Sequence, residues 1–582
     1  MIKSILSAVF IFSLLCQVSS QHPVFTNQSS FRDSRVREYI TPKSILWLSD
    51  TTGRFIVNPE RLLLPGNGQA DLSSVNLCYL YNDEGHQAAL VLDFGYQMFG
   101  ALQIISGIAE GDYPVSVRVR FGESVSETFS DTGEGHTATN DHAMRDMTLQ
   151  IPMIGSIEVG KTGFRFVRID LLGETNSLCL KEINAISVYR DIPYLGSFNS
   201  SDSLLNEIWL TGAYSVHLNM QEYLWDGIKR DQLVWVGDMH PEVMTIHAVF
   251  GYNEVVPQSL DLVRNITPVD EWMNGISSYS MWWVLVHDAW YHQHADIGYL
   301  QEQAGYLREL LEKFCSMIDE DGNEHLDGHR FLDWPSSPYT EAVDAGYHAL
   351  LKLTLEAGVR LSMLLNDPQT AQLCESKAAL LASREPDLTE SKQAAALLGL
   401  AGLITPEQAN EIISHEGAKR FSTFYGYYML QAMALAENYT GALDIIRDYW
   451  GGMLHLGATT FWEDFNIEWM ENAARIDELP PEGKIDVHAT YGDYCYVGFR
   501  HSFCHGWASG PTTWMSEHVL GIRVIEPGCS IIAIEPNLGD LEWAEGTYPT
   551  PLGIIHVRHE RLASGEIKTE YTAPEGVTVV KM

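Results

Sequence analysis

The chain has 582 residues, a hydrophobic content of 45% and a formal net charge of −39. This length exceeds what one hydrophobic core usually serves, so several domains are expected. The negative charge repels phosphate backbones and anionic membrane surfaces, which argues against nucleic-acid binding and favours a neutral substrate.

The first residues, MIKSILSAVFIFSLLCQVSSQ, have the pattern of a secretory signal peptide. A lysine precedes an apolar run over 5–16, and Val18 and Ser20 are small enough for signal peptidase, so 1–20 is the predicted leader. Cys16 raises a lipoprotein alternative, but Leu15 stands where a small residue is wanted. No later stretch reaches about 18 apolar residues, so we expect a secreted or periplasmic protein without membrane insertion.

Residues 21–195 alternate with period two, as in VSVRVRF, where Val115, Val117 and Val119 are separated by polar residues. Glycine and Asp/Asn turns separate such runs. This pattern predicts an N-terminal antiparallel β-sandwich.

Helical periodicity begins in SSDSLLNEIWLTGAYSV, with a Ser/Asp cap and a stripe containing Leu205, Ile208 and Trp209. Segments of this kind continue to about residue 520, without a fixed-period repeat. We therefore predict a catalytic domain over 196–520 built as an (α/α)6 barrel of paired helices. Alternation then returns over 521–582, with a turn at Ser564-Gly565, and predicts a small C-terminal β-sandwich.

Seven cysteines remain after the leader, an odd number without a CxxC pair, so neither a disulfide framework nor a zinc site is indicated. The stretch DEDGNEH at 319–325 lacks the spacing of a calcium loop and reads as a turn. We expect no cofactor and no metal in the reaction, while calcium in a β domain and the oligomeric state stay open.

The stretch DGIKRDQLVWVGD follows the first predicted helix and brings Asp226, Asp231 and Asp238 together. Loops on a rigid scaffold are where catalytic residues usually lie. Glycoside hydrolysis needs one protonated and one ionised carboxyl group, and crowded carboxylates keep one of them protonated. The alternative is a solvated acidic loop with local ion pairs to Lys229 and Arg230.

Four other loops of the same domain combine a carboxylate or histidine with tryptophan. They are GATTFWEDF with Glu463, SFCHGW with His505, FLDWP with Asp333, and WWVLVHDAW with Trp283. Each tryptophan or histidine alone is more typical of a core. Together, and in a chain with 15 Trp and 26 Tyr, they favour a sugar pocket, because sugar rings lie well on flat aromatic rings.

These motifs resemble those of the inverting α-L-rhamnosidase family, glycoside hydrolase family 78 of the six-hairpin glycosidase type. The family pattern D-x-x-x-R-[DE]-x-x-x-W-x-G-D is matched from Asp226 to Asp238, and GATT-x-W-E is matched up to Glu463. The family's S-F-N-H stretch is matched up to His505, with Cys504 in place of Asn. FLDWP resembles the family's G-D-W loop.

The resemblance implies an inverting hydrolase of terminal α-L-rhamnose on oligosaccharides, polysaccharides or glycosides. Many members carry a glutamate acid where Gln232 falls in one alignment. Aligned on W-x-G-D, Asp231 takes that place and is the preferred acid, with Asp226 as fallback and Glu463 as the base. The substrate-binding residues implied are Asp226, Arg230, Trp235, Asp238, Trp283, Asp333, Trp334, Trp462 and His505.

Three alternatives remain at this point. One is a glycosidase of the same fold with another sugar preference, such as a uronic acid. The second is a catalytically inactive sugar-binding protein, motivated by Gln232. The third is a polysaccharide lyase, which the carboxylate pair argues against.

Overall fold

The computed structural model describes residues 33–580, apart from 73–74, 84, 110–112, 385 and 494–495. The predicted signal peptide at 1–20 lies outside the described residues. Strands come first, helices follow from Ser203, and strands return from Ile522. This order confirms the predicted fold class, while the domain limits near 195 and 520 stay predictions. None of the described helices combines the length and the apolar character needed to cross a bilayer.

The N-terminal strands form one strongly folded antiparallel sheet in the order β3-β4-β9-β5-β8-β6-β7, with β1 on β9 and β2 on β5. They are β1 (Arg35–Ile40), β2 (Ser44–Leu48), β3 (Ile56–Val57), β4 (Cys78–Tyr81), β5 (Ala89–Ser106), β6 (Val115–Gly122), β7 (Asp146–Ile151), β8 (Gly155–Leu171) and β9 (Ser177–Arg190). The register of the long strand β5 against β8 shifts between Asp93 and Met98. The irregularity bends the strand, which contributes to both halves of the sandwich. The two halves bury a common core that includes Leu92, Ile104 and Val117.

The helices are α1 (Ser203–Asn219), α2 (Met239–Val249), α3 (Val255–Ile266), α4 (Ser277–His294), α5 (Ile297–Ser316), α6 (Thr340–Leu364), α7 (Pro368–Ser383), α8 (Lys392–Leu400), α9 (Pro406–Ser414), α10 (Gly426–Leu435), α11 (Tyr439–His455), α12 (Val487–Thr490) and α13 (Gly510–Trp514). Successive helices contact one another in the order α2, α4, α6, α8, α10 and α13, and α13 contacts α2. These helices close an inner ring, and α1, α3, α5, α7, α9 and α11 alternate with them along the chain. The predicted (α/α)6 barrel is confirmed.

Helix α1 shows why the barrel begins where it does. The Asp202 carboxylate accepts from the backbone N–H groups of Leu204 (2.9 Å) and Leu205 (3.3 Å), which satisfies orphan donors of the first turn. Ile208 and Trp209 of the predicted apolar stripe are buried against the barrel core. The cap and the stripe therefore act together, one fixing the start of the helix and the other its inward face.

The C-terminal strands form two sheets, β10-β13-β14-β15 and β11-β12-β16. They are β10 (Ser197–Ser200), β11 (Ile522–Val524), β12 (Ile531–Ile534), β13 (Trp543–Thr550), β14 (Gly553–Arg561), β15 (Ile567–Thr572) and β16 (Thr578–Val580). Strand β10 precedes the helices and yet pairs with β13 from beyond them, with Ser197 opposite Thr547. The sequence analysis had placed this segment in the helical domain, because a four-residue strand carries no periodic signal.

The cysteines that the structure describes are free and buried: Cys78, Cys179, Cys315, Cys374, Cys504 and Cys529. This outcome agrees with the prediction from their odd number and spacing. The 319–325 stretch forms a turn, as predicted, in which the Asp319 carboxylate accepts from the backbone N–H of Asn323 at 2.8 Å.

Candidate active site

The DGIKRDQLVWVGD stretch is an irregular loop between α1 and α2. The carbonyl of Asp226 accepts from the Asn219 side chain (3.0 Å) and from the Gly506 N–H (3.1 Å), which fixes the loop against the end of α1. Asp231 and Gln232 have φ values of 54° and 56°, a left-handed conformation that turns the chain back. This turn projects the side chain of Asp231 into a cavity.

The cavity has a volume of about 370 Å³ and lies at the mouth of the helical barrel. It is lined by Asp226, Arg230, Asp231, Trp235, Asp238, Asn274, Gly275, Ile276, Tyr279, His329, Phe331, Trp334, Glu463, Tyr496, Arg500, His505 and Trp507. Its size suits a small ligand, and its mixture of aromatic rings and carboxylates is typical of a pocket that binds polyols.

Arg230 joins the two carboxylates predicted to act as acid and base. Its Nη2 donates to both oxygens of Glu463, each at 2.9 Å, and its Nη1 donates to Oδ1 of Asp231 at 2.9 Å. The guanidinium lies 4.8 Å from the centre of the Tyr496 ring. Both carboxyl groups therefore bind the same cation and line the same cavity.

Glu463 is held from several sides in the loop that follows α11. Its N–H donates to the Ser502 carbonyl (3.0 Å), and the Ser502 N–H donates to its Oε2 (3.3 Å). The Trp507 indole N–H and the Thr423 hydroxyl both donate to the Glu463 carbonyl. Burial raises the pKa of the Glu463 carboxyl, and Arg230 opposes this shift.

Asp231 has a second partner from the N-terminal β-sandwich. Nδ1 of His142 lies 2.6 Å from Asp231 Oδ1, and the side chains of His142 and Asp231 are 34% and 14% exposed. His142 belongs to the connection between β6 and β7. The proposed acid is therefore contacted by a residue of the β-sandwich as well as by Arg230.

Asp226 and Asp238 lie deeper in the same cavity. Burial and neighbouring carboxylates raise the pKa of both well above its ordinary range, although the Tyr279 hydroxyl, donating to Asp238 at 2.7 Å, opposes the shift. Nε2 of His505 lies 3.9 Å from Asp226, 3.8 Å from Asp238 and 3.5 Å from Glu463. Burial lowers the pKa of His505 well below its ordinary range, which favours neutral imidazole.

Three residues from the sequence-based set do not line this cavity. Trp283 is fully buried in α4, where its indole N–H donates to the Leu260 carbonyl at 3.3 Å. Trp462 is also fully buried and stacks on Phe503 with ring centres 4.0 Å apart. Asp333 faces away and accepts from the Trp334 N–H at 2.8 Å. Of the predicted tryptophans, Trp235 and Trp334 reach the cavity.

The sequence analysis did not place several cavity residues in the site, notably Tyr279, His329, Phe331, Tyr496, Arg500 and Trp507, and it missed His142, which contacts Asp231 from outside the cavity lining. Trp507 was within reach, because it stands two residues after His505 in a motif already singled out. Tyr496 and Arg500 lie in the long connection between Glu463 and His505, which carries no motif of its own. His142 lies in a segment without a recognisable motif.

Among the described residues, Glu123, Glu127 and His488 form a group with the composition of a metal site. Lys229 Nζ already lies 3.0 Å from Glu127 and 3.4 Å from Glu123, and Arg145 lies 3.0 Å from Glu127. Two cations therefore neutralise the two carboxylates. The group is an ion-pair cluster between the β-sandwich and the barrel, directly behind the Arg230 loop.

Two family models match the chain. Residues 193–372 match the bacterial alpha-L-rhamnosidase 6 hairpin glycosidase domain, and residues 521–580 match the bacterial alpha-L-rhamnosidase C-terminal domain. The resemblance drawn from the motifs is thereby confirmed. No curated protein has a sequence that matches this chain.

Solved rhamnosidases share the fold. A family 78 rhamnosidase of Bacillus sp. GL1 superposes with a TM-score of 0.72 at 22% identity, over 90% of this chain and 55% of that one. A Klebsiella oxytoca rhamnosidase with rhamnose bound gives 0.65 at 19% identity, over 83% and 96%. A Streptomyces avermitilis α-L-rhamnosidase complexed with L-rhamnose gives 0.66 at 16% identity, over 87% and 50%. This chain thus spans about half the length of the first and third of these proteins.

Proposed function

Because residues 193–372 and 521–580 match the bacterial rhamnosidase models, we propose that this protein is a glycoside hydrolase that releases terminal α-L-rhamnose with inversion. The observation that carries the proposal is the Arg230 guanidinium, which binds Asp231 and Glu463 on one cavity. The guanidinium lies between the two carboxylates, so they face one cavity without touching each other. Inversion needs about 6.5–9.5 Å between the carboxyl groups, which leaves room for a water molecule.

In the proposed reaction, protonated Asp231 donates its proton to the glycosidic oxygen as the bond to the sugar C1 breaks. Glu463 accepts a proton from a water molecule, whose oxygen attacks C1 from the opposite face. The products are the free alcohol and rhamnose of inverted anomeric configuration. Burial raises the pKa of Glu463, and Arg230 opposes this rise, which favours the ionised form that a base requires.

Asp226, Asp238 and His505 are proposed to hold the sugar hydroxyls. Their buried polar atoms converge within 4 Å on one end of the cavity, as the His505 Nε2 distances of 3.9 and 3.8 Å describe. The raised pKa of each carboxyl favours an O–H that can donate to a sugar oxygen. Trp235 and Trp334 then supply aromatic faces for the C–H side of the ring.

The raised pKa of Asp226 also supports the fallback assignment, in which this carboxyl is the acid. We prefer Asp231, because it is less enclosed than Asp226 and shares Arg230 with the base. Secretion or periplasmic export belongs to the proposal as well, supported by the leader pattern at 1–20 and by a fold shared with rhamnosidases.

The test is hydrolysis of an aryl α-L-rhamnoside by the wild type, Asp231→Asn and Glu463→Gln. We expect turnover by the wild type and a loss of about 10²–10⁴ in kcat for Glu463→Gln. For Asp231→Asn we expect a loss of that size when the leaving group needs a proton, as an unsubstituted phenol does, and a smaller loss for a nitrophenol. Proton NMR of the first product identifies the anomer, and β-L-rhamnose is expected. A panel of other aryl glycosides covers the alternative sugars. Binding of rhamnose without turnover on any substrate would instead identify an inactive sugar-binding protein.

A further inference from the structure

The connection between β6 and β7 carries His142 from the β-sandwich to the mouth of the barrel. Its Nδ1 lies 2.6 Å from Asp231 Oδ1, well within the distance over which a proton moves between heavy atoms. Asp231 and His142 are 89 positions apart in sequence and belong to different predicted domains. The proposed acid is thus contacted by a group that its own domain does not supply.

The loop is fixed at its base and at its tip. At the base, Arg145 donates to the Gly163 carbonyl (2.7 Å) and to the Thr162 hydroxyl (2.6 Å) on β8. At the tip, Asp141 pairs with Arg500, and the Thr137 hydroxyl accepts from the Phe499 N–H at 3.0 Å. These contacts hold the imidazole in place independently of its interaction with Asp231.

The charged groups that face the imidazole are few. Asp231 lies at Nδ1, and at Nε2 the nearest charges are Asp141, 3.7 Å away, and the guanidinium of Arg500, 3.3 Å away. The other charged contact of the Asp231 carboxylate is Arg230, whose guanidinium stays protonated under all working conditions. Arg230 therefore cannot carry protons to Asp231, whereas an imidazole can.

Inverting hydrolysis makes such a carrier useful. In each turnover Asp231 loses a proton to the leaving group and Glu463 gains one from water, so the two groups must exchange protons with solvent before the next cycle. Glu463 is 4% exposed, and the side chain of His142 is 34% exposed. The imidazole is thus open to solvent, whereas the base is enclosed.

We propose that His142 is the positioning and proton-delivery residue of the acid: it orients Asp231 and returns a proton to it from solvent after each turnover. The proton enters at Nε2, an imidazolium forms, and Nδ1 passes its proton to Asp231 Oδ1, which leaves neutral imidazole protonated at Nε2. Proton exchange with solvent then regenerates the tautomer that carries its proton on Nδ1, before the next delivery. No other reactant is needed. This inference rests on the proposed function, because it requires Asp231 to be the acid.

The test compares His142→Asn with the wild type on two rhamnosides, one with an alkyl alcohol leaving group and one with a nitrophenol. Asparagine keeps a polar atom near the position of Nδ1 but cannot carry a proton. We expect kcat on the alkyl rhamnoside to fall by about tenfold or more, with KM changed by less than about threefold. On the nitrophenyl rhamnoside, kcat should change by less than about threefold, because nitrophenolate leaves without taking a proton from the acid. Added imidazole should restore turnover of the alkyl rhamnoside.

Two controls make the outcome decisive. His136→Asn alters an exposed histidine of the same loop and should behave as the wild type. Asp231→Asn should lose its activity on the alkyl rhamnoside. If it does so while His142→Asn keeps that activity, the inference is wrong and the proposed function stands. Equal losses by His142→Asn on both substrates, without imidazole rescue, would show that His142 only docks the loop. If Asp231→Asn retains full activity, the acid assignment itself fails. Thermal melts of each variant separate these results from misfolding.

Discussion

Nη2 of Arg230 lies 2.9 Å from each carboxylate oxygen of Glu463, and both side chains are almost completely buried. Removing Arg230 alone would leave the Glu463 carboxylate buried without a counter-charge, which lowers the stability of the folded protein. It also sets the ionisation of the proposed base, since Arg230 is the largest influence that lowers the pKa of Glu463.

Replacing Arg230 by lysine tests this relationship. A lysine ammonium cannot bridge Asp231 and Glu463 with the fixed fork of a guanidinium, so we expect kcat to fall by about 10²-fold or more. The pKa of Glu463 should rise, because burial is then less opposed. Since the base must be ionised, the acidic limb of the kcat/KM profile should move to higher pH. Arg475→Lys, in an exposed ion pair with Asp477, is the matched control and should leave the profile unchanged.

Asp231→Asn and Asp226→Asn separate the two candidate acids. The variant that lacks the acid should lose about 10²–10⁴ in kcat on a poor leaving group and far less on a nitrophenyl leaving group. We expect this pattern for Asp231→Asn, and a loss on both substrates that appears mainly in KM for Asp226→Asn. The opposite pattern would transfer the role to Asp226.

Asp238→Asn should stabilise the protein at neutral pH. The folded-state pKa of Asp238 is raised well above its ordinary range, so the folded state binds more protons than the unfolded state over that interval. Stability therefore falls as pH rises through it, and an uncharged asparagine removes this cost. We expect a melting temperature about 2 °C or more above the wild type near pH 7, and a difference that shrinks towards pH 4. Asp270→Asn, on an exposed side chain, should show no such dependence on pH.

Trp334→Phe should weaken substrate binding more than chemistry. The indole N–H donates to the Tyr496 hydroxyl at 2.7 Å, and this contact turns the ring towards the cavity. We expect KM for a rhamnoside to rise by about 3–10-fold, as for the loss of one aromatic contact, with kcat within about threefold of the wild type. Trp283→Phe should leave KM unchanged and lower the melting temperature, because Trp283 is fully buried. A rise in KM for Trp283→Phe would return that residue to the binding site.

The sequence predicts the convergence of Asp226, Arg230 and Glu463 for a simple reason. Each lies in a connection that runs from an outer helix to the next inner helix, and in a closed ring the connections of this kind meet at one end. The same reasoning fails for Trp283, because its helix is buried on nearly every side. The sequence periodicity therefore does not show which of its residues face the cavity and which face the surrounding core. His142 could not be found, since its position depends on how the β6–β7 connection folds over the neighbouring domain.

The pairing of β10 with β13 has a consequence for biosynthesis. The Ser197 hydroxyl lies 2.8 Å from that of Thr547, across a separation of 350 positions, and the strands on either side flank the entire helical ring. A nascent chain that has been synthesised to residue 540 has every described α-helix but lacks all of β13, the strand that pairs with β10. Pairing of β10 with β13 is thus a late event in synthesis, and early termination would leave β10 without this partner strand.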